Sequence, residues 1–441
     1  MQWPVSQIAL PERTRRLREL DKAHLWHPFT QMREWTAPEH DPIVIERGEG
    51  AMLFDTDGKA YLDGNSSIWT NVHGHNHSAI NEAIQRQLGK IAHCSALGFT
   101  NEPAIELAQQ LLALLPGEKL SRVFFTDDGS TAIECACKMA IQFFQLRGEP
   151  QRSQILAFDG AYHGDTMGAA SLGGIQTFQA RFADFGFDVQ RAADLSALEN
   201  VDASTLAAVT IEPLIQGANR MRTWPPGMLA ELSDWCERQG VLLIVDEVMT
   251  GFGRTGTMFA CEQEGVTPDI IALAKGLTGG YLPLAATLAS EKIYEAFLGE
   301  FEESKTFFYG HSYCGNPLGC AAALANLEVF REENTLAELQ PKIALLQQLL
   351  AELTDLPNVS VTRQCGLIAA IDLCQAGGDP FPAKARTGSR VCEAARAHGL
   401  LTRPILDTIV LMPPLCTTAE QLGQAVSAIR EAVAEVCDTT S

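Results

Sequence analysis

IVDEVMTGFGRTG (244–256) and DIIALAKG (269–276) decide how this chain folds and what it can hold. VLLIVDEV (241–248), which overlaps the first, and DIIALAKG are short, unbroken apolar runs. Runs of that length between helical patterns read as strands buried on both faces. The first delivers Asp246 and the second Lys275, so two strands would carry an acid and an amine to the same edge of a sheet. A lysine closing an apolar strand more often snorkels to water, and an aspartate there is more often structural. Their joint occurrence is what pyridoxal phosphate (PLP) requires: a lysine to join the cofactor aldehyde and a carboxylate to keep its pyridine nitrogen protonated.

Working outward, apolar runs alternate with helical patterns from about residue 100 to 330. RVFFTD (122–127) precedes an amphipathic stretch over 131–146, followed by QILAFD (154–159) and LAAVTIEP (206–213). The alternation predicts an α/β fold with a large, mostly parallel sheet. A helical stretch (334–354), GLIAAIDL (366–373), a helix over 388–398, TIVLMPP (408–414) and a final helix over 418–436 then predict a smaller α+β domain. VIERGEGAMLFDTDGKAYLD, near the start, reads as short strands joined at DG turns. The expected division is an N-terminal segment packing with the small domain (1–65), a large PLP-binding domain (66–330) and a C-terminal small domain (331–441).

The 441 residues exceed what one simple core accommodates. A hydrophobic content of 46% with 20% charged residues is ordinary for a soluble protein. The formal charge of −21 argues against nucleic acid or an anionic membrane as partner. MQWPVSQIALPERTRRLREL lacks the charged-then-apolar pattern of an export signal, and no run approaches the roughly 20 apolar residues of a membrane helix. A cytoplasmic location is expected. The 12 cysteines contain no C-x-x-C and read as reduced, buried thiols.

Asp128-Gly129-Ser130-Thr131 lies between a strand and a helix, where free N–H groups and the helix dipole favour an anion. Thr131 and Glu134 have the spacing of a capping box. An ordinary capped helix start fits equally, but beside Asp246 and Lys275 the segment favours a phosphate site. Tyr162, in AYHGD (161–165), could stack on a pyridine ring or belong to a polar loop. In HGHNH (73–77) alternation would put three histidines on one side of an extended segment; no carboxylate or cysteine partner is evident, so no metal is expected. Ser312 sits at a turn before a small-residue helix, suiting a phosphate or tight packing. Arg403, isolated among apolar residues, suits a carboxylate or a structural ion pair.

Together these residues resemble the class III (omega) aminotransferases of PLP fold type I, over nearly the whole chain. The resemblance rests on WHPFTQM (26–32), DGNSSIWTNVHGHNH (63–77), GAYHGDTMGA (160–169), VDEVMTGFGRTG (245–256), LAKGLTGGYLPLA (273–285), GHSYCGNPLG (310–319) and LTRPILDTIVLMPP (401–414). Within that family it is similar to the branch that aminates 8-amino-7-oxononanoate in biotin synthesis. The resemblance implies Lys275, Asp246 and Tyr162 as catalytic residues. It implies a cofactor site of Gly129, Ser130, Tyr162, His163, Glu212, Asp246, Val248, Lys275, His311 and Ser312, with Ser312 coming from the second subunit of a homodimer whose active sites lie at the interface. Phe29, Ile68, Trp69, Tyr162, Lys275 and Gly310 would line the substrate pocket, and Arg403 would bind the acceptor carboxylate.

Three positions depart from the branch. Phe29 replaces a tyrosine and Ile68 the first of two tryptophans found in members that use S-adenosylmethionine, and Asp128 replaces a serine. Adenosylmethionine is the expected donor and lysine the alternative. Another omega-aminotransferase, a PLP aminomutase, or a non-catalytic protein keeping the fold are the competing expectations.

Overall fold

The computed structural model describes residues 10–438. Seven strands form the large sheet: β1 (Leu120–Thr126), β2 (Gln154–Phe158), β3 (Val189–Ala192), β4 (Leu206–Ile211), β5 (Leu242–Asp246), β6 (Ile270–Leu273) and β7 (Ala285–Ser290). They lie in the order β1-β7-β6-β5-β4-β2-β3. Every pairing is parallel except the two made by β7. All residues of β4, β5 and β6 are buried. Successive side chains point to opposite faces: Leu243, Val245, Ile271 and Leu273 enter one core cluster, and Leu242, Ile244, Ile270 and Ala272 the other. Both faces are therefore covered, which is why these strands carry no polar alternation. The expected α/β architecture with a mostly parallel sheet is what the chain adopts.

A four-stranded antiparallel sheet forms from Val359–Cys365, Ile368–Leu373, Thr408–Leu411 and Pro404–Ile405. Helices Thr335–Leu353, Thr387–Ala395 and Ala419–Asp438 pack around it. In a further sheet, Ile45–Glu49, Met52–Asp55 and Ala60–Asp63 pair antiparallel, and Leu400–Leu401 joins Ala60–Asp63 in parallel. The chain between Asp63 and Trp69 is thus held close to the C-terminal segment that carries Arg403. All 12 cysteines are free. No helix among the described residues is long and apolar enough to cross a membrane.

One buried cation ties these parts together. Arg254 is 1% exposed; its Nη1 donates to the Pro413 carbonyl at 2.6 Å and its Nη2 to the Asn71 carbonyl. Its own carbonyl accepts from the Leu367 N–H at 2.9 Å. Burial lowers the guanidinium pKa to about 10, so it stays charged at neutral pH. Arg254→Met should lower stability by about 3 kcal/mol, because two buried carbonyls lose their donor at roughly 1–3 kcal/mol each. Urea unfolding of the two proteins side by side checks this; an unchanged midpoint would contradict it.

Candidate active site

The carboxyl ends of the parallel strands open into a cavity of about 420 Å³. Ligands of open α/β sheets bind at such an edge. Asp246 ends β5, opposite Ala272 of β6. Lys275 follows β6 on a 3₁₀ turn, Lys275–Thr278, with φ 43°. The strand stops at Leu273, so Lys275 is set by this left-handed turn, not by the strand itself as its apolar run suggests. Glu212 follows β4, Tyr162 and His163 follow β2, and Gly129 and Ser130 follow β1. These residues line the cavity together with Trp69 and Val248.

Asp246 is fixed by two donors. His163 Nδ1 donates to its Oδ2 at 2.6 Å, and the Val248 N–H to its Oδ1 at 3.0 Å. His163 is 2% exposed, and its Nε2 is buried with no partner. Glu212 accepts from the Tyr162 N–H at 3.0 Å and the Gly217 N–H at 2.8 Å. Its burial pushes the carboxyl pKa up to about 7, opposed by His163 and reinforced by the Asp246 charge. Burial lowers the Lys275 pKa, and Asp246 and Glu212 pull it back up. Burial thus disfavours the charged amine while two carboxylates favour it, the opposition that suits a nucleophile and proton carrier. Lys275 Nζ lies 5.0 Å from the centre of the Trp69 ring, within cation–π range.

The helix Gly129–Leu146 starts at the N-cap Asp128, whose carboxylate accepts from the Thr131 N–H at 2.9 Å. The capping box is therefore Asp128–Thr131 and not Thr131–Glu134. Glu134 instead reaches across to the Thr166 hydroxyl at 2.6 Å and the Gly168 N–H at 2.8 Å. A Cβ on Gly129 would meet Val248 Cγ1 at 2.6 Å, and one on Gly164 would meet Ser130 Oγ at 2.2 Å. The Val248 side chain and the Ser130 hydroxyl thus crowd the helix start, where Gly129 and Ser130 line the cavity, a cradle suited to a phosphate. The orphaned His163 Nε2, this cradle and the Asp246–Lys275 pair all fit PLP.

Six residues of the expected set do not line this cavity: Phe29, Ile68, Gly310, His311, Ser312 and Arg403. Gly310 and Ser312 are exposed, and His311 Nδ1 donates to Asp127 Oδ2 at 2.9 Å. Arg403 is exposed, with no side-chain ion pair among the described residues. Phe29 is 62% exposed but packs edge-on against Phe178 at 5.5 Å, and Phe178 packs against Tyr162 at 5.9 Å. Sequence reasoning passed over Phe178; the recurrence of phenylalanine at 178, 182, 185 and 187 was the available signal. The histidines of HGHNH do not line up, because Gly74 (φ 90°) and Asn76 (φ 58°) turn the segment. His73 packs on Phe330, His75 bonds Asp63 and His77 bonds Glu333. No cluster among the described residues is suited to a metal ion.

Ser66, Ser67, Ile68 and Trp69 all have positive φ, between 45° and 67°. Left-handed backbone costs a non-glycine residue roughly 1–2 kcal/mol each, so four in succession need strong external fixing.

Comparison with known proteins agrees with this geometry. Residues 35–433 match the family described as aminotransferase class-III. The chain belongs to the class-III aminotransferases. The adenosylmethionine-8-amino-7-oxononanoate aminotransferase of Geobacter sulfurreducens is 46% identical, over 95% of this chain and 98% of that protein. The crystal structure of the enzyme of that name from Methanocaldococcus jannaschii superposes with a TM-score of 0.93 at 41% identity, covering 96% of this chain and 99% of the other. A PLP-bound amine transaminase from an uncultivated Pseudomonas species gives 0.87 at 35% identity, over 93% and 98%. The protein is a PLP-dependent transaminase of fold type I.

Glu212 gives this site a pH signature. Its carboxyl rises from 4.5 to about 7 on folding, so the folded apoprotein holds a proton that the unfolded chain releases. The stability this contributes is complete below pH 4.5 and lost as pH rises through about 7. Glu212→Gln should remove that slope, gaining on the wild type by up to about 3 kcal/mol across the window. Urea midpoints of both apoproteins across this pH range check it, and parallel curves would contradict it.

Proposed function

We propose that this transaminase aminates 8-amino-7-oxononanoate to 7,8-diaminononanoate in biotin biosynthesis, with S-adenosylmethionine as donor, in the cytoplasm and as a homodimer. The observation that carries this reading is near-full-length similarity to relatives of that name, joined to a cavity that presents Lys275 between two carboxylates. Lysine as donor is the second reading, favoured by the loss of a hydroxyl at Phe29 and of an indole at Ile68.

Gly129, Ser130 and His311 would hold the cofactor phosphate, with Ser312 of a second copy completing the cradle. The exposure of Ser312 outside the cavity of the single chain supports that assignment. Tyr162, His163, Glu212 and Val248 would frame the ring, with Asp246 at its nitrogen. PLP, when bound, supplies the electron sink through which an amino group passes between two substrates. Lys275 Nζ takes a proton from the amine-bearing carbon of the donor and later delivers one to the acceptor carbon. Asp246, pinned by His163 and Val248, keeps its charge directed into the site. Glu212 and Asp246 steady the Lys275 ammonium whenever it is protonated. Arg403 would bind the acceptor carboxylate in a bidentate pair, while Phe29, Ile68, Trp69 and Gly310 bound the pocket.

The test offers purified protein, PLP and 8-amino-7-oxononanoate to adenosylmethionine, lysine and other amines, scoring diamine formation. Adenosylmethionine should support turnover; turnover with lysine alone would reassign the donor, and none with any amine would sink the biotin reading. Arg403→Ala should raise the acceptor KM roughly 10- to 100-fold with little change in the donor half-reaction, the loss of one charge-assisted pair. Lys275→Ala should abolish turnover and the visible absorbance of the lysine-bound cofactor. Retention of both would overturn the assignment of Lys275.

A further inference from the structure

The turn Ser66–Trp69 lines the cavity through Trp69, yet its four residues contain no glycine to ease their left-handed backbone. What fixes it lies beneath. Asp63 is 3% exposed and accepts four bonds: from the Asn65 N–H at 3.3 Å, the Ser67 N–H at 3.1 Å, the Ser67 hydroxyl at 3.0 Å and His75 Nε2 at 2.9 Å. Asn71 Nδ2 donates to His75 Nδ1 at 3.3 Å, which sets the ring with its proton on Nε2, toward Asp63. The Asn71 carbonyl is in turn held by Arg254. Above this chain the Ser66 hydroxyl donates to the Met412 carbonyl at 2.6 Å, and Trp69 Nε1 donates to Asn65 Oδ1 at 2.8 Å. The Trp69 ring then lies over Lys275 Nζ.

We infer that Asp63 and His75 are positioning residues: their buried pair clamps the Ser66–Trp69 turn and so sets the Trp69 wall against which the acceptor's carbon chain is held beside Lys275. The inference rests on the acceptor reading proposed above. Neither residue lines the cavity, and the bonds Asp63 accepts from Asn65 and Ser67 carry their effect to it through the turn. Trp69 contributes an apolar face whose height above Lys275 depends on backbone angles that relax once Asp63 stops accepting from Ser67. Asp246 and Glu212, whose charges act on Lys275, stand at the ends of other strands and stay in place.

Asp63→Ala, His75→Ala and His75→Gln test this, with His77→Gln, whose ring bonds Glu333 away from the turn, as control. The two alanine variants should raise the acceptor KM at least roughly tenfold, with the donor half-reaction and PLP content within about twofold of wild type. His75→Gln, whose amide can still donate to Asp63, should recover most of the loss, and His77→Gln should behave as wild type. A second readout needs no substrate: the near-UV circular dichroism of Trp69, taken as the difference between each protein and its Trp69→Phe counterpart, should collapse in the alanine variants. An acceptor KM within about twofold of wild type, or parallel losses in both half-reactions and PLP content, would overturn the clamp. If the alanine variants fail to fold, Ser67→Ala, which removes one donor to Asp63, should show the same KM and dichroism changes in smaller measure, and their absence would overturn it equally. If wild type itself fails to aminate the oxononanoate, the acceptor reading falls and the dichroism alone decides whether the clamp exists.

Discussion

Lys275 brings an ammonium group to the end of a strand whose every residue is buried, and the cost of removing that charge from water governs how the site around it is built. A single carboxylate would hold the lysine in its charged form and blunt it as a nucleophile. No carboxylate would leave an uncompensated buried cation. The protein places two, Asp246 and Glu212, and weakens both as counter-ions: Asp246 is already engaged by His163 and Val248, and burial raises the Glu212 pKa. The lysine therefore keeps company without being locked into a tight ion pair. Parallel topology makes this possible, because strands β4, β5 and β6 all end at the same edge.

Much of that frame is legible in the chain, for physical reasons particular to each element. Strands buried on both faces must be apolar without interruption, so LAAVTI, LLIVD and IIAL announce themselves and bring their charged successors along. Strand direction is less visible. AATLAS in β7 is buried along its whole length like IIAL in the adjacent β6 but runs opposite to it, because burial shapes composition and chain direction does not. The T-x-x-E spacing points to an N-cap at Thr131, three residues after the one observed at Asp128, for a related reason. Aspartate and threonine are both good N-caps, and only the strand end preceding them chooses Asp128.

What stayed hidden depends on long-range packing. Nothing in Ser-Ser-Ile-Trp suggests left-handed backbone, since the residues that favour it, glycine and asparagine, are absent. The fixing groups come from Asp63 and His75 on one side and from Met412 on the other, residues brought together only when the N-terminal strands join Leu400–Leu401. The HGHNH run suggested convergence because extended chain alternates, and two turns at Gly74 and Asn76 undo it. Gly310, Ser312 and Arg403 carry chemistry that the single chain does not bring into its cavity.

Strain lies on both sides of the contact between Trp69 and Lys275, for Lys275 is itself left-handed. Backbone in that region has little freedom to drift, because its well is narrow and its neighbours in conformational space are forbidden. Two narrow wells facing each other define the gap between indole and amine more tightly than flexible loops would. They hold only while the surroundings over-determine them. Arg254, in the segment that joins β5 to β6, holds Asn71 at the foot of the Trp69 turn and binds Pro413 beside Met412. A buried cation outside the cavity thus ties the Trp69 turn to the segment that follows β5.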